Sequence, residues 1–294
     1  MSRCVRVEED QYTVRVILST PMSHGLSAWS LAPSLLALLA YAAAARDGEA
    51  GLTRHALPLA WVAHGIAGLA HLLGLGLPMT GARFGFAPAL AATAWMVIGV
   101  HAIESRFVPV PMVRRMLALL GASTLVLALV FPGDGLHPGS PWAPLHWLLG
   151  LASYGLVGAA VLHAVWLDRA ERSLRSRLAA PGQGVAMPAM PLLTLERLTY
   201  RFVGAGFAVL TLALALGVQV STQWHWDHKT VFSLLGWLVL AGLLAGRRVF
   251  GWRGRRATRW LYVGSTLLLL AYVGSRFVLE VLLHRGTAAT LAGG

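Results

Sequence analysis

Eight runs of apolar residues constrain the fold of this 294-residue sequence more than any other feature. Each run is long enough, or nearly so, to cross about 30 Å of hydrocarbon as an α-helix. We predict spans at 26–45, 56–77, 85–103, 116–131, 143–167, 202–221, 230–246 and 258–280. Charged residues make up only 12% of the chain, which is about half of their share in soluble domains. The sequence therefore predicts an all-α, polytopic helical bundle in a membrane.

Basic residues are divided unequally between the two sides of this predicted bundle. Of the 24 basic residues, 17 lie in alternate loops, at 46–55, 104–115, 168–201 and 247–259. The loops on the opposite side contain only Arg83 and Lys229. The positive-inside rule places the arginine-rich loops in the cytoplasm and both termini outside. The same rule accounts for the net charge of +12 without nucleic acid as a partner.

The two ends of the chain differ from the region that contains the spans. Residues 1–21 carry three arginines and three acidic residues, which no signal-peptide start would combine. We predict that they are an extension that is not native and that the true start is Met22. The transmembrane domain is then 22–285, followed by a short tail at 286–294. A single cysteine, Cys4, excludes an internal disulfide framework.

The longest loop on the predicted cytoplasmic side covers residues 168–201. We expect residues 168–177 to extend the fifth helix into water, and 191–200 to form an amphipathic helix at the interface. These 34 residues are too few for a soluble catalytic domain. The chain also contains no phosphate loop, dinucleotide fingerprint or nucleophile motif. We therefore predict no enzyme activity.

Two histidines lie within the second predicted span. His64 and His71 are seven residues apart, so they share one helix face at about 10 Å along the axis. Ionisable residues at membrane depth are costly and often line transport pathways, which makes a transporter or metal-tolerance factor one hypothesis. The alternative is that each neutral histidine only hydrogen-bonds to a neighbouring helix.

The strongest polar cluster lies at the predicted outer side. His146 begins the fifth span, and six informative residues precede or begin the seventh: Trp224, His225, Trp226, Asp227, His228 and Lys229. A planar iron macrocycle requires an aromatic or apolar platform, imidazole ligands and cations for its carboxylates, and this cluster offers all three. Two alternatives stay open. The tryptophans can form an interfacial belt, or the histidines and aspartate can bind Zn or Co.

Several segments resemble the cytochrome c assembly protein family. They are Leu145-His146 through Ser153-Tyr154, His228-Lys-Thr-Val-Phe-Ser-Leu-Leu-Gly-Trp237, Phe250-Gly-Trp-Arg-Gly-Arg-Arg-Ala257 and Leu270-Ala-Tyr-Val-Gly-Ser-Arg276. Within this CcsA/CcmC-like superfamily, the YpjD/HemX-like inner-membrane branch is the most similar. The resemblance covers about 140–280, and the earlier spans match only in hydropathy. It implies a multi-pass protein of the bacterial inner membrane.

The resemblance also implies a function, which is to bind haem, here haem b, and to present it at the periplasmic face. By this resemblance His146 and His228 are the axial ligands, and His284 lies near the place of the family's second external histidine. A shortened version of the family's tryptophan-rich loop is formed by Trp224, Trp226 and Asp227. The aspartate is followed by His228 and not by proline, so we do not predict ligation of haem to apocytochrome c.

Arg276 is a further candidate for the site, and a regulatory role is an alternative function. Arg276 lies near the outer end of the eighth span, one turn before Glu280, and either pairs with it or clamps a haem propionate. The resemblance also allows a regulatory protein whose cytoplasmic loops, at residues 175–195, control a haem-pathway enzyme. The predicted partners are haem, the lipid bilayer, and other cytochrome c biogenesis or haem-pathway proteins.

Overall fold

Eight long helices account for most of the described chain. The computed structural model describes residues 27–46, 51–76, 82–104, 111–136, 140–179, 192–220 and 226–283. Its helices are α1 Ala28–Ala44, α2 Gly51–Leu72, α3 Phe86–Glu104, α4 Pro111–Val130, α5 Ala143–Ala179, α6 Leu192–Val220, α7 His228–Phe250 and α8 Arg255–Leu269. Helix α8 continues into a π-helical segment Leu270–Gly274, helix α9 Ser275–Phe277 and a second π-helical segment Val278–Leu282. The predicted all-α fold is confirmed.

Six of the helices in the described part of the chain are long and apolar enough to cross a membrane. They are α3, α4, α5, α6, α7 and α8 with its continuation. Helix α1 has only 17 residues. Helix α2 has 22 residues, but three histidines and Pro58 lower the apolar character of its sequence. The structure thus has helices at all eight predicted positions, and six of them meet the criteria for a membrane span.

Two boundary predictions differ in outcome on the arginine-rich side. Helix α5 continues past Asp168 to Ala179, as the sequence predicts. The helix predicted at 191–200 is present from Leu192, but it is continuous with the following apolar run as the first part of the 29-residue helix α6. No proline or other helix breaker separates these residues from that run, and Leu195 and Thr199 are already buried.

The helices pack as two groups of four. The first core is formed by α1 to α4 around Tyr41, Ile98 and Leu117. The second is formed by α5 to α8 around Val203, Leu240, Leu243, Leu261 and Leu268. Helices α3 and α5 join the groups, and a Cβ atom at Gly155 would lie only 2.6 Å from the Met96 sulfur. This glycine therefore permits a close approach between the two halves.

A small antiparallel sheet covers the end of the first group. Strand β1 (Ala82–Phe84) pairs with β2 (Asp134–Leu136), with Arg83 opposite Gly135. The Arg83 guanidinium also donates to the Gly133 carbonyl at 3.2 Å. Gly133 has φ of +76°, and a Cβ atom there would lie 2.8 Å from the Phe84 carbonyl oxygen. The sheet ties the start of α3 to the end of α4, and the sequence did not predict it because each strand has only three residues.

Candidate functional site

His146 lies in the first turn of α5, at the end of the bundle that the sequence places outside. Its neighbour Pro144 is tolerated so early in the helix because the first amide groups have no intrahelical acceptor. The His146 Nδ1 atom donates a hydrogen bond to the Ala213 carbonyl of α6 at 2.9 Å. A carbonyl can only accept, so Nδ1 carries the proton and Nε2 retains its lone pair in the neutral ring. The ring is thereby oriented as a potential metal ligand.

A glycine makes this position of the imidazole possible. A Cβ atom at Gly217 of α6 would lie 2.9 Å from His146 Cε1, which is closer than side chains can approach. The ring therefore lies directly against the α6 backbone. Sequence alone gives no signal for this contact, because the two residues are 71 positions apart.

The half-buried His146 lines a pocket of about 100 Å³, here called the outer pocket. Its walls come from α3, α5, α6, α7 and the segment that follows α8, and its polar or aromatic lining includes Trp147, Ser153, Tyr154, Lys229, Ser233 and Tyr272. The Lys229 ammonium lies 5.8 Å from the centroid of the Tyr272 ring. The pocket thus combines one free imidazole nitrogen, one cation and several aromatic rings.

The start of α7 places Asp227 and His228 directly before the pocket-lining Lys229, at the rim of this pocket. Asp227 is the N-cap, and its carboxylate accepts from the Thr230 amide at 2.8 Å. Partial burial tends to raise the pKa of Asp227, but the Thr230 hydrogen bonds and the charge of Lys229 outweigh it and hold the pKa below its usual value. His228 is the exposed first residue of α7, and Trp226 is 72% exposed. Trp224, His225 and His284 lie outside the described residues.

Arg276 belongs to the irregular last helix. Its guanidinium lies 3.9 Å from Glu280, so the predicted pair one turn apart is formed. Two π-helical segments flank α9, and such segments are frequent at functional sites. The Tyr154 hydroxyl donates to the Leu268 carbonyl just before the first of them. This contact fixes the last helix against α5 beside the outer pocket.

A second and larger cavity lies within the first group of helices. It measures about 550 Å³ and is here called the inner cavity. His64 and His71 both line it, as their shared helix face predicts. The indoles of Trp61 and Trp95 also line it, stacked at 5.1 Å, and each donates to the other residue's backbone carbonyl. Apart from Arg83, Ser30 and Ser34, the lining is otherwise almost entirely apolar.

Each histidine of the inner cavity has one ring nitrogen in a hydrogen bond. The buried His64 is joined through Nδ1 to the Tyr41 hydroxyl at 2.9 Å. His71 donates from Nε2 to the Pro132 carbonyl at 2.6 Å. Such hydrogen bonds are the predicted alternative to a functional role for these histidines, and both are present.

The structure separates the predicted site residues into distinct groups. His146 lines the outer pocket, and His228 directly precedes another residue of its lining, Lys229. His64 and His71 lie in the inner cavity. Tyr154 and Tyr272 also line the outer pocket. They were not predicted as site residues, because an apolar span carries no signal for which tyrosine faces inward. Among the described residues, no group of three histidine, cysteine or acidic side chains can hold a bare metal ion.

The bundle and its histidine-bearing pocket define a polytopic membrane protein with a pocket at one end of its helices. Comparison with known families then makes the assignment specific. The chain belongs to the cytochrome c assembly protein family, which matches residues 51–283. The resemblance predicted for about 140–280 is therefore confirmed, and the match extends toward the N-terminus to include α2, α3 and α4.

Individual relatives are similar over most or about half of the chain. An uncharacterized 28.8 kDa protein in the nifR3-like 5' region of Azospirillum brasilense is 30% identical over 77% of this chain and 82% of its own. The cytochrome c biogenesis protein CcsA of Synechococcus sp. (strain CC9605) is 27% identical over 63% of this chain and 71% of its own. Inner membrane protein YpjD of Escherichia coli (strain K12) is 32% identical over 54% of this chain and 60% of its own. No solved structure matches the chain.

These similarities and the six apolar helices identify a multi-pass protein of the bacterial inner membrane. The predicted localisation is therefore confirmed.

Proposed function

We propose that this protein binds haem at the outer pocket and presents it at the periplasmic face. One observation carries the proposal: the Ala213 carbonyl fixes the tautomer of His146 and leaves its Nε2 lone pair available. Histidines that bind metals almost always donate a hydrogen bond from their other ring nitrogen in this way. Membership of the cytochrome c assembly family supports haem as the ligand.

The surrounding residues fit the chemistry of a haem group. An imidazole nitrogen is the usual axial ligand of haem iron, and bound haem would supply a redox-active iron at this face. Lys229 places a cation in the same pocket, where it can pair with a propionate. Arg276 is the second cation that we assign to a propionate. We propose haem b as the form that is bound.

The second axial ligand in this proposal is His228. It is exposed at the start of α7, next to the pocket-lining Lys229, which supports access to a ligand at the rim. Trp224, Trp226 and Asp227 are proposed to form the platform at the same rim. Pockets that enclose a whole ligand measure about 300–1,000 Å³. The outer pocket is smaller, at about 100 Å³, which suits presentation of a ligand at its mouth better than enclosure.

The proposed topology has eight spans with both termini outside. It is supported by the eight helices and by the arginines concentrated at one end of the bundle. Haem at the outer pocket then faces the periplasm. The proposed protein partners are other components of cytochrome c biogenesis or of the haem pathway.

The optical spectrum of detergent-purified protein tests the proposal. Wild-type protein titrated with hemin should show a Soret band, and His146→Ala should retain little of it because the fixed ligand is lost. In His146→Gly, added imidazole should restore the band by occupying the space of the missing ring. His55→Ala is the matched control, since His55 is an exposed histidine of α2 outside both cavities. A band of equal strength in His146→Ala and His55→Ala would reject the proposal.

A second candidate function is transport or metal tolerance through the inner cavity. The specific observation in its favour is the volume of about 550 Å³, which lies within the usual range for ligand pockets. His64 and His71 would then be the polar groups that contact the transported species.

A further inference from the structure

We infer that the arginine-rich end of the bundle contains a binding site for a phosphate group, separate from both histidine-lined cavities. The site is an open pocket of about 290 Å³ between α5 and α8, here called the arginine pocket. Six residues line it: Asp168, Arg172, Arg255, Thr258, Arg259 and Tyr262. Three of these six residues are arginines, so three guanidinium groups share the pocket.

The arginines of this region fall into two classes according to their contacts. Arg247 and Arg253 both pair with Glu196, at 3.1 and 3.6 Å. Arg256 lies over the Trp252 ring, with Cζ 4.5 Å from its centroid. These three arginines therefore have protein partners that account for their positions.

The arginines of the pocket have no comparable partner within the described chain. Neither Arg255 nor Arg259 forms an ion pair there, although both line the same pocket. The Arg172 Nε atom donates to the Asp168 backbone carbonyl at 3.0 Å, which anchors the side chain and leaves its terminal nitrogens free of that bond. Three guanidinium groups that share one pocket repel one another unless an anion lies between them.

The single acidic residue in the pocket is engaged by α8. Thr258 and Tyr262 donate to the two carboxylate oxygens of Asp168, at 3.1 and 2.8 Å. These bonds join α5 to α8 and occupy both oxygens of the carboxylate. With three arginines and one carboxylate, the formal charge of the lining is +2, so the pocket favours an anion over a cation.

Phosphate is the anion whose chemistry matches this lining best. Guanidinium groups bind phosphate oxygens through paired, charge-assisted hydrogen bonds. Basic pockets between helices at the cytoplasmic side of membrane proteins are also places where phospholipid head groups bind. A lipid head group and a soluble phosphate ester share this chemistry, and the position at the end of the helices is open to both.

Two binding measurements on protein in a phosphate-free maltoside detergent distinguish the sources. Native mass spectrometry with added phosphatidylglycerol measures head-group binding, and equilibrium dialysis with labelled inorganic phosphate measures soluble phosphate. Arg255→Gln/Arg259→Gln should weaken whichever is bound by roughly 25-fold, since each arginine near an anionic surface contributes about fivefold. Arg201→Gln/Arg248→Gln is the matched control, because both residues are exposed near the same end but do not line the pocket.

The two measurements distinguish a lipid head group from a soluble phosphate ester. Binding of the lipid alone, weakened only in the pocket variant, supports a head-group site, and binding of inorganic phosphate supports a soluble phosphate ester. Equal binding by the pocket variant and its control, or no binding of either probe, would overturn the inference.

Discussion

The inner cavity and the outer pocket each contain a histidine that donates to a backbone carbonyl, but they differ in volume and in the charges around it. In the inner cavity the partner of His64 is the Tyr41 hydroxyl, which can donate or accept, so this contact does not decide which ring nitrogen carries the proton. The other histidine, His71, donates from Nε2 to the Pro132 carbonyl, so its tautomer is decided. In the outer pocket the partner of His146 is a carbonyl, which only accepts, so the tautomer is decided. A fixed tautomer is thus present in both sites, which differ in volume and in the charged groups beside the imidazole.

The two cavities also differ in the cations that lie around them. Lys229 lines the outer pocket, and Arg276 lies on the helix segment that follows the pocket-lining Tyr272. The inner cavity has Arg83 at the small sheet and is otherwise lined by apolar and neutral polar residues. A ligand with two carboxylates and a metal ion needs cations as well as an imidazole. The charges therefore agree with the proposed haem site at the outer pocket, although the inner cavity is larger.

The largest effect is expected from Gly217→Ala. Its methyl group would lie 2.9 Å from His146 Cε1, so the ring must turn and lose its hydrogen bond to Ala213. Loss of such a supporting bond weakens metal binding by roughly 10- to 100-fold. A hemin titration followed at the Soret band measures the change.

Gly204→Ala is the matched control for this prediction. Gly204 lies on the same helix α6, and a Cβ atom there meets nothing within 4 Å. This variant should bind hemin as the wild type does and gain up to about 1 kcal/mol from helix propensity. If both variants bind hemin equally, the close approach of His146 to α6 does not matter for the site.

Sequence patterns predict the two regions to different extents. Apolar runs and arginine-rich loops are local features, so all eight helices and the extension of α5 beyond Asp168 could be predicted. The shared helix face likewise places His64 and His71 in one cavity. In contrast, the partners of His146 lie on α6 and were not predictable. Contacts between apolar helices depend on packing details, such as a glycine at 217, that leave no periodic signal.

A moderate effect is expected from Asp227→Ala at the rim of the outer pocket. The carboxylate caps α7 by accepting from the Thr230 amide, and loss of an N-cap costs about 1 kcal/mol. Its pKa is lowered in the folded protein, so its contribution is present above the unfolded value of about 4 and is lost as pH falls through the lower folded value. The free energy of unfolding by a denaturing detergent, compared between wild type and Asp227→Ala at pH 7 and at about pH 3, measures both the loss of the cap and its pH dependence. Asp227→Asn, which can still cap the helix, should lose less stability at pH 7 than Asp227→Ala.

The smallest effect on haem is expected from Gly68→Leu, which reaches into the inner cavity. Gly68 lines that cavity, and a Cβ atom there meets nothing within 4 Å, so the larger side chain can fill empty space without displacing a neighbour. The hemin spectrum should stay that of the wild type, and Gly204→Leu on α6 controls for a leucine at an open glycine. A spectrum that falls in Gly68→Leu but survives in Gly217→Ala would move the haem site to the inner cavity. It would also make His71, whose Nε2 donates to a backbone carbonyl, the candidate axial ligand in place of His146.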